Sequence, residues 1–272
     1  MNLKVLATLG PASANEEGVK AMTEGGVYLF RINLSHTPIK EVEGLIKKVQ
    51  SWTDVPICLD SEGAQIRNQN MENGEVSYAT GDKVKIHHEE IIGDSQNISF
   101  TPPYVSEQLK KDDRIHLDFD SAVFKVIENT KDYCLSIVEH GGCVGSNRAA
   151  NVDREISLDV MTPKDKAAFK IGLDMGIRDF SLSFTNSSED VDSMRELVGK
   201  ESNIICKIES INGVSNLDSI LSRADQILID RGDLSREVAI EKIPYIQRRI
   251  ISRAKSKDTP VFVATNLLES MT

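Results

Sequence analysis

The chain has 272 residues, of which 40% are hydrophobic and 27% charged, and its formal net charge is −10. This balance is that of a folded globular protein, and it excludes a disordered chain. The acidic excess argues against nucleic acid and anionic membranes as partners, so an anionic substrate would need a local cluster of cations. The sequence contains no membrane-length apolar run, no signal-peptide core at its start and no metal or disulfide spacing among its cysteines, and we predict a cytoplasmic protein.

The first 67 residues alternate between strand-like and helix-like segments, which we take as the first part of one domain. The predicted elements are strand 4–9, helix 15–24, strand 28–34, helix 39–52 and strand 55–59. The pattern then changes, because residues 68–155 contain short apolar runs bounded by Gly, Asn and Asp, with little helix between them. The predicted strands of this all-β insert are 75–88, 96–100, 114–126 and 133–138.

Strand–helix alternation resumes in residues 156–272, the second part of the first domain. Thr162 and Pro163 form a good helix start, with Thr162 as N-cap and proline in the first turn. The predicted elements are helix 163–175, strand 179–184, helix 187–198, strand 203–209, helix 213–222, strand 226–230, helix 241–257 and strand 260–265. Alternation of this kind predicts an α/β fold with a parallel sheet and helices outside it.

A (β/α)8-type parallel barrel is the fold that we favour, with the all-β insert after its third strand. The alternative is an open doubly wound sheet, although the Gly-rich phosphate motif of such sheets does not follow the first strand. Only seven barrel strands can be counted, and the residues outside the insert fall short of the roughly 250 that a full barrel takes. We therefore expect the barrel to be incomplete at its C-terminal end. Either a longer protein or a second chain, such as another copy in a homo-oligomer, would complete it.

Polar residues gather where the predicted barrel strands end, which is where barrels of this type carry their chemistry. Lys207 and Glu209 share one face of an otherwise apolar strand, and burying an unpaired charge there would be costly. The other polar strand ends carry Arg31, Asn33, Ser35 and His36, then Asp60 and Arg67, then Asp230, Arg231 and Asp233, then Thr265 and Asn266. An ion pair between strands would explain any one of these ends. Five polar strand ends at the same end of the barrel together predict an active site there.

Glu209 and Asp233, on neighbouring predicted strands, indicate a site for a hard divalent cation. Mg²⁺ binds one or two protein carboxylates, and substrate oxygens and water complete its coordination. Lys207 beside such an ion could neutralise charge on a transferring phosphoryl group or on an enolate oxygen. The backbone N–H groups of residues 231–233 could hold a substrate carboxylate.

The sequence resembles the pyruvate kinase family over nearly its whole length. The motifs that carry the resemblance, in the family's order, are Ala7–Ser13, Phe30–His36, Leu59–Arg67, Lys207–Glu209, Arg231–Leu234 and Ala264–Met271. The resemblance implies Mg²⁺-dependent transfer of a phosphoryl group from phosphoenolpyruvate to ADP, which yields pyruvate and ATP. It also implies that the all-β insert is a lid domain.

The resemblance assigns a role to each candidate residue. Lys207 would stabilise the transferring phosphoryl group, Arg31 would hold phosphate, and Thr265 would lie at the proton-transfer position. The substrate would contact Arg31, Lys207, Gly232, Asp233 and Thr265, and the nucleotide Arg67, Asn33, His36 and Arg148. The implied metal ligands are Glu209 and Asp233 for Mg²⁺, and Asn33, Ser35, Asp60 and Ser61 for K⁺.

Departures from the family pattern leave other functions open. Ser61–Gln65 stands where the family has Thr-Lys-Gly-Pro-Glu, so Glu62 replaces a lysine, and Gln65 leaves the potassium requirement undecided. Asp118–Asp120 replaces an Asp-Asp-Gly turn, and Asp230 replaces a small apolar residue. One alternative is a related enzyme that performs enolate chemistry on a 2-oxo acid or uses another phosphoryl acceptor. The other is a non-catalytic binding protein, against which the retained buried charges argue.

Overall fold

The computed structural model describes residues 4–63, 65–118, 120–154 and 156–264. The chain divides into two compact units, one made of residues 1–63 and 160–272 and the other of residues 64–159. None of the helices in the described part of the chain combines the length and the apolar character needed to cross a membrane.

Strands and helices alternate in the first unit, whereas short strands dominate the second. The strands are β1 (Leu6–Thr8), β2 (Leu29–Asn33), β3 (Ile57–Asp60), β4 (Arg67–Asn68), β5 (Glu75–Tyr78), β6 (Lys83–His87), β7 (Asn97–Thr101), β8 (Arg114–Leu117), β9 (Ala122–Asn129), β10 (Tyr133–His140), β11 (Gly142–Gly145), β12 (Ala150–Val152), β13 (Asp179–Leu182), β14 (Asn203–Ile208), β15 (Gln226–Asp230) and β16 (Val261–Ala264). The helices are α1 (Glu16–Glu24), α2 (Ile39–Trp52), α3 (Tyr104–Gln108), α4 (Pro163–Asp174), α5 (Ser188–Val198), α6 (Ile211–Ser215), α7 (Leu217–Ile220), α8 (Arg231–Leu234) and α9 (Ile243–Lys255).

The first unit is a nearly closed parallel barrel of seven described strands. Each strand pairs with the next barrel strand along the chain, in the order β1-β2-β3-β13-β14-β15-β16. A doubly wound sheet would reverse its strand order at a switch point, and this sheet does not. The prediction of an α/β fold of the (β/α)8 type is therefore confirmed, and the doubly wound alternative is wrong.

The barrel strands present two faces that differ in what they bury. Outward side chains such as Phe30, Leu59 and Cys206 belong to one large apolar core with the helices that surround the strands. Inward side chains form a small cluster of Leu29, Cys58, Ile205 and Leu228. Two residues further along the same four strands, the inward positions carry Arg31, Asp60, Lys207 and Asp230. Because side chains alternate along a strand, the barrel interior changes from apolar to charged toward the C-terminal strand ends.

Local signals explain where several helices and strands of the barrel begin and end. Thr162 caps α4 by accepting a hydrogen bond from the Asp165 N–H, as the sequence predicts. The predicted helix 213–222 is instead split into α6 and α7 at Asn216, whose backbone leaves the helical region. The strand predicted to reach residue 184 ends at Leu182, because Phe184 has a φ of 50°.

The second unit consists mainly of short strands, as predicted for the insert. A seven-stranded sheet has the order β12-β8-β9-β10-β6-β7-β4, and β11 pairs with β5 in a separate two-stranded sheet. Two segments predicted as single strands are each divided by a turn. Gly81, with a φ of 95°, lies between β5 and β6, and Asp118 and Asp120, with φ of 46° and 66°, lie between β8 and β9. The sequence did not predict α3.

Replacing Gly63 with alanine is expected to destabilise the barrel unit by about 2 kcal/mol. Gly63 has a φ of 73°, and a Cβ there would lie 2.9 Å from the Ser183 Cβ. The matched control is Gly44→Ala in α2, where a Cβ meets nothing within 4 Å. That change is expected to stabilise the protein by about 0.5–1 kcal/mol, because alanine is the better helix former. Urea unfolding of both variants measures the difference, and equal stabilities would contradict it.

Candidate functional site

Lys207 is the centre of a buried charged cluster at the C-terminal ends of the barrel strands. Only 5% of the residue is exposed. Its ammonium Nζ lies 2.8 Å from Glu209 Oε1 and 3.4 Å from Asp60 Oδ2, and it donates to Ser183 Oγ at 3.1 Å. Period-two alternation along β14 brings Lys207 and Glu209 to the same face, so a strand that is otherwise apolar carries both charges inward.

Arg31 and Asp60 form a second ion pair that is joined to the first. Arg31 Nε donates to Asp60 Oδ2 at 2.7 Å, and a second guanidinium nitrogen contacts the same oxygen. Another guanidinium N–H donates to Thr8 Oγ1 at 3.0 Å. Asp60 is fully buried, and its Oδ1 accepts no hydrogen bond from any described residue. Two cations thus share one carboxylate oxygen, and the other oxygen is left available to a ligand.

The surroundings shift the pKa of both members of the Lys207–Glu209 pair. Burial alone would lower the pKa of Lys207, but the charges of Asp60 and Glu209 outweigh burial and raise it. Burial raises the pKa of Glu209 to about 7; Lys207 opposes this rise, and Asp233 adds to it. The Lys207 ammonium does not fully offset burial and the Asp233 charge, so a cation bound beside Glu209 would further stabilise its ionised form.

Three carboxylates gather next to this cluster. Glu209, Asp230 and Asp233 each offer one oxygen, and the three oxygens all lie within 4.8 Å of one another. Asp230 Oδ1 also accepts from the Gly232 N–H at 3.1 Å, and Asp233 lies 3.2 Å from Arg236. Oxygen ligands of this kind are those that Mg²⁺, Mn²⁺ and Ca²⁺ prefer, so the donor set fits a hard divalent cation. A substrate carboxylate at Gly232 would have to displace its bond to Asp230.

The loop after β3 is held by hydrogen bonds to the next barrel strand. The Ser183 N–H donates to Ser61 Oγ at 2.8 Å, and Ser183 Oγ donates to the Ser61 carbonyl at 2.7 Å. The Phe184 N–H donates to Glu209 Oε2 at 2.7 Å. The left-handed turn at Phe184 thus directs a backbone donor at the second oxygen of Glu209, and this fixes the orientation of the carboxylate.

Glu62, the acidic residue at the family's lysine position, has a partner in the barrel unit. Its Oε2 lies 3.0 Å from Lys164 Nζ, and the same ammonium also contacts the Leu34 carbonyl. The Glu62 and Gly63 N–H groups donate to Asp165 Oδ1 and Oδ2 at 2.7 and 3.2 Å. The acidic replacement is therefore part of the structure that attaches this loop to α4.

The residues at and after the ends of β2 and β3 that were predicted to bind K⁺ or nucleotide lie at the same end of the barrel. Asn33 is opposite Asp60 in the strand register, and its Oδ1 accepts from the Ser35 N–H at 3.0 Å. Ser35 and His36 are exposed, whereas Ser61 is buried. Thr265 lies outside the described residues.

Arg67 and Arg148 belong to the second unit and have partners there. Arg67 donates to the Asn147 carbonyl at 3.1 Å and to Gln65 Oε1 at 2.8 Å. Arg148 lies 3.6 Å from Asp118 and is about half exposed. Gln65 therefore orients Arg67. This is the position at which the sequence left the potassium requirement undecided.

Sequence reasoning missed three residues that organise the barrel site: Ser183, Asp165 and Asp230 as a member of the carboxylate cluster. Ser181 and Ser183 show the same period-two polar spacing as Arg31 and Asn33, so that signal was available for Ser183. The position of Asp165 at the start of α4 indicates only a capping role with Thr162, and its contacts with Glu62 and Gly63, about 100 residues away, have no local signal.

Comparison with known proteins agrees with this geometry. A family model described as pyruvate kinase, barrel domain, matches residues 1–272. The chain belongs to the pyruvate kinase family. It is 33% identical over 277 residues to the pyruvate kinase of Thermotoga maritima, 32% over 280 residues to that of Geobacillus stearothermophilus and 35% over 282 residues to that of Clostridium acetobutylicum.

Each alignment with these three pyruvate kinases covers 98% of this chain. It covers 59%, 48% and 59% of the respective relatives, so the chain spans about half the length of the relatives it matches. The resemblance inferred from the strand-end motifs is thereby confirmed at the level of the family.

Proposed function

We propose that this member of the pyruvate kinase family transfers the phosphoryl group of phosphoenolpyruvate to ADP, giving pyruvate and ATP, with Mg²⁺ as cofactor. The observation that carries the proposal is the burial of Lys207 between Asp60 and Glu209, beside three clustered carboxylates. The stability of the fold does not require this cluster. Well-packed apolar side chains in place of a buried ion pair usually leave a protein equally stable or more stable. A cation site next to a buried lysine suits a substrate with several negative charges.

Phosphoryl transfer requires mainly positioning and stabilisation of negative charge. In the proposed reaction, the Lys207 ammonium stabilises charge on the phosphoryl oxygens, and Arg31 holds the phosphate through the guanidinium edge that does not face Asp60. Both cations are already oriented by Asp60, so little reorganisation is needed when the substrate binds. This arrangement would provide the local positive charge that an acidic chain needs for an anionic substrate.

Glu209 and Asp233 would hold the Mg²⁺, which supplies positive charge against the phosphoryl and enolate oxygens. The donor set supports this assignment, since a buried carboxylate, Glu209, and two half-buried ones converge there. A K⁺ ion would contact Asn33, Ser35, Asp60 and the Ser61 carbonyl. The Asp60 Oδ1, which accepts no hydrogen bond within the described residues, is the group that supports this second site.

The remaining roles concern the nucleotide and the proton. Asn33 and His36 of the barrel unit are proposed nucleotide contacts, and so, within the second unit, are Arg148 and Arg67, the latter oriented by Gln65. Thr265 would lie at the position of proton transfer to the enolate, and residues 231–233 would contact the substrate carboxylate.

The experiment that tests the proposal is pyruvate formation by the purified protein. We expect turnover only when phosphoenolpyruvate, ADP and Mg²⁺ are all present, and Glu209→Gln should reduce it by about 10²-fold or more. The control is Glu196→Gln, which changes an exposed glutamate on α5 and should leave the rate unchanged. Pyruvate formed from a 2-oxo acid without ADP would replace the proposal with the enolate alternative. No turnover of either kind by the folded protein would contradict both.

A further inference from the structure

We propose that Asp230 is a third carboxylate ligand of the divalent cation, beside Glu209 and Asp233, and that it allows the cation to bind before any substrate is present. This inference deepens the proposed function and rests on its metal site. Neither the strand-end pattern nor the family resemblance assigned Asp230 to the metal.

The three carboxylate side chains lie at the ends of two neighbouring barrel strands. Asp230 is the last residue of β15, and Asp233 lies in α8, which begins at the next residue. Glu209 directly follows β14, which pairs in parallel with β15. The topology therefore brings all three carboxylates to one edge of the barrel, where their oxygens lie within 4.8 Å of one another.

One buried carboxylate oxygen of this cluster, on Glu209, accepts no hydrogen bond within the described residues. Glu209 is 1% exposed, and this oxygen is its Oε1. The Lys207 ammonium lies 2.8 Å away, so the oxygen has one cationic partner. A carboxylate oxygen can take more than one partner, and a metal ion would occupy the remaining acceptor position of this buried oxygen.

The size of the cluster bears on which cations fit. Oxygen ligands on opposite sides of Mg²⁺ lie about 4.2 Å apart, and on opposite sides of Ca²⁺ up to about 5.2 Å. The three carboxylate oxygens lie within 4.8 Å of one another, so the cluster is compact enough for a single divalent ion in this size range to contact all three. Mn²⁺, which accepts the same ligands, is a suitable probe.

The charge of a third carboxylate explains binding without substrate. A Mg²⁺ ion held by only two carboxylates takes its remaining ligands from water and substrate oxygens, so its binding gains from the substrate. Asp230 adds both a ligand and a negative charge, and the affinity of oxygen sites for divalent cations rises with the number of charged ligands. The chain would thus hold the ion first and bind the anionic substrate to the loaded site.

A purely structural role for Asp230 is the competing explanation. Its Oδ1 caps α8 by accepting from the Gly232 N–H at 3.1 Å. Asn and Ser also cap helices, so Asp230→Asn and Asp230→Ser preserve this role while they remove the charge. The matched control is Asp179→Asn, which removes a half-buried carboxylate at the first residue of β13, opposite to the strand ends that carry the site.

The test is a Mn²⁺ titration of the purified protein without phosphoenolpyruvate or nucleotide, with free Mn²⁺ measured by electron paramagnetic resonance. We expect wild type and Asp179→Asn to bind Mn²⁺ within twofold of each other. Asp230→Asn and Asp230→Ser should weaken binding by about tenfold. A loss below threefold in the folded variants, or no binding by wild type without substrate, overturns the inference.

Glu209→Gln separates the inference from the proposed function in the same titration. If Glu209→Gln weakens Mn²⁺ binding and the Asp230 variants do not, only the role of Asp230 is overturned. If wild type binds no Mn²⁺ even when phosphoenolpyruvate is added, the metal site of the proposed function fails as well. Circular dichroism of each variant shows whether it is folded.

Discussion

Lys207→Met is expected to lower the turnover of phosphoenolpyruvate and ADP by about 10³-fold. The Lys207 ammonium is the most deeply buried cation of the site, and Asp60 and Glu209 hold it in place at 3.4 and 2.8 Å. Methionine is similar in volume but supplies no charge to the phosphoryl oxygens. Initial rates of pyruvate formation with Mg²⁺ measure the effect. A fall of less than tenfold would show that Lys207 does not take part in the reaction.

Loss of stability is the competing explanation for low activity in Lys207→Met, because removal of one partner of a buried ion pair costs about 3–5 kcal/mol. The double variant Lys207→Met with Glu209→Gln removes both charges of the closer pair and leaves the Arg31–Asp60 pair intact, so it should unfold at higher urea concentration than the single variant. Its turnover should nevertheless remain as low. Lys170→Met, on the exposed face of α4, is the control for loss of a lysine and should keep full activity.

Asp165→Ala is expected to destabilise the barrel unit by about 3 kcal/mol. Asp165 is fully buried and accepts hydrogen bonds from the N–H groups of Glu62, Gly63 and Thr162 at 2.7, 3.2 and 3.0 Å. Burial raises the pKa of Asp165, and these backbone donors oppose that rise. Alanine would leave three backbone donors without their partner.

The matched control for Asp165→Ala is Asp190→Ala, which removes the carboxylate at the equivalent capping position of α5. Asp190 accepts from the Asn186 and Ser187 N–H groups at 2.8 and 2.9 Å, but it is only half-buried and connects no distant loop. Its loss is expected to cost about 1 kcal/mol, as for an ordinary helix cap. Urea unfolding of both variants provides the comparison, and similar losses would mean that the loop after β3 does not depend on Asp165.

The sequence contains enough information to predict the barrel and the charged ends of its strands. Alternation along β14 places Ile205 and Lys207 on the face opposite to Ile204 and Cys206, and the structure has this division between its inner and outer apolar clusters. The regular order of strands and amphipathic helices then leaves few parallel folds to choose from. Local patterns are sufficient for this part because each depends on neighbours along the chain.

The details of the site could not be predicted from the sequence because they depend on contacts between distant segments. Asp165 meets the loop after β3 across about 100 residues, and no local pattern indicates such a contact. The turn at Phe184 has a positive φ without a glycine to indicate it, and this turn directs the backbone donor at Glu209. The same applies to Asp118 and Asp120, whose positive φ values divide the predicted strand 114–126.

Asp230 shows a second kind of feature that could not be predicted from the sequence, the direction of a side chain. Its position before Arg231 was recognised as a departure from the family pattern, but the sequence could not show whether the carboxylate points toward Glu209 and Asp233, the proposed metal ligands, or away from them. The direction depends on how β15 ends and α8 begins, since α8 starts at the next residue. Only the folded chain brings Asp230 within reach of Glu209 and Asp233.

The most direct test of the central claim is to follow the phosphorus of phosphoenolpyruvate by ³¹P nuclear magnetic resonance. The purified protein is incubated with phosphoenolpyruvate, ADP and Mg²⁺, and the resonances are recorded over time. We predict that the phosphoenolpyruvate signal falls while the γ-phosphoryl signal of ATP rises in equal amount, and that Lys207→Met shows neither change. An unchanged phosphoenolpyruvate signal with folded wild-type protein, or inorganic phosphate in place of ATP, would contradict the claim that this cluster is a phosphoryl-transfer site.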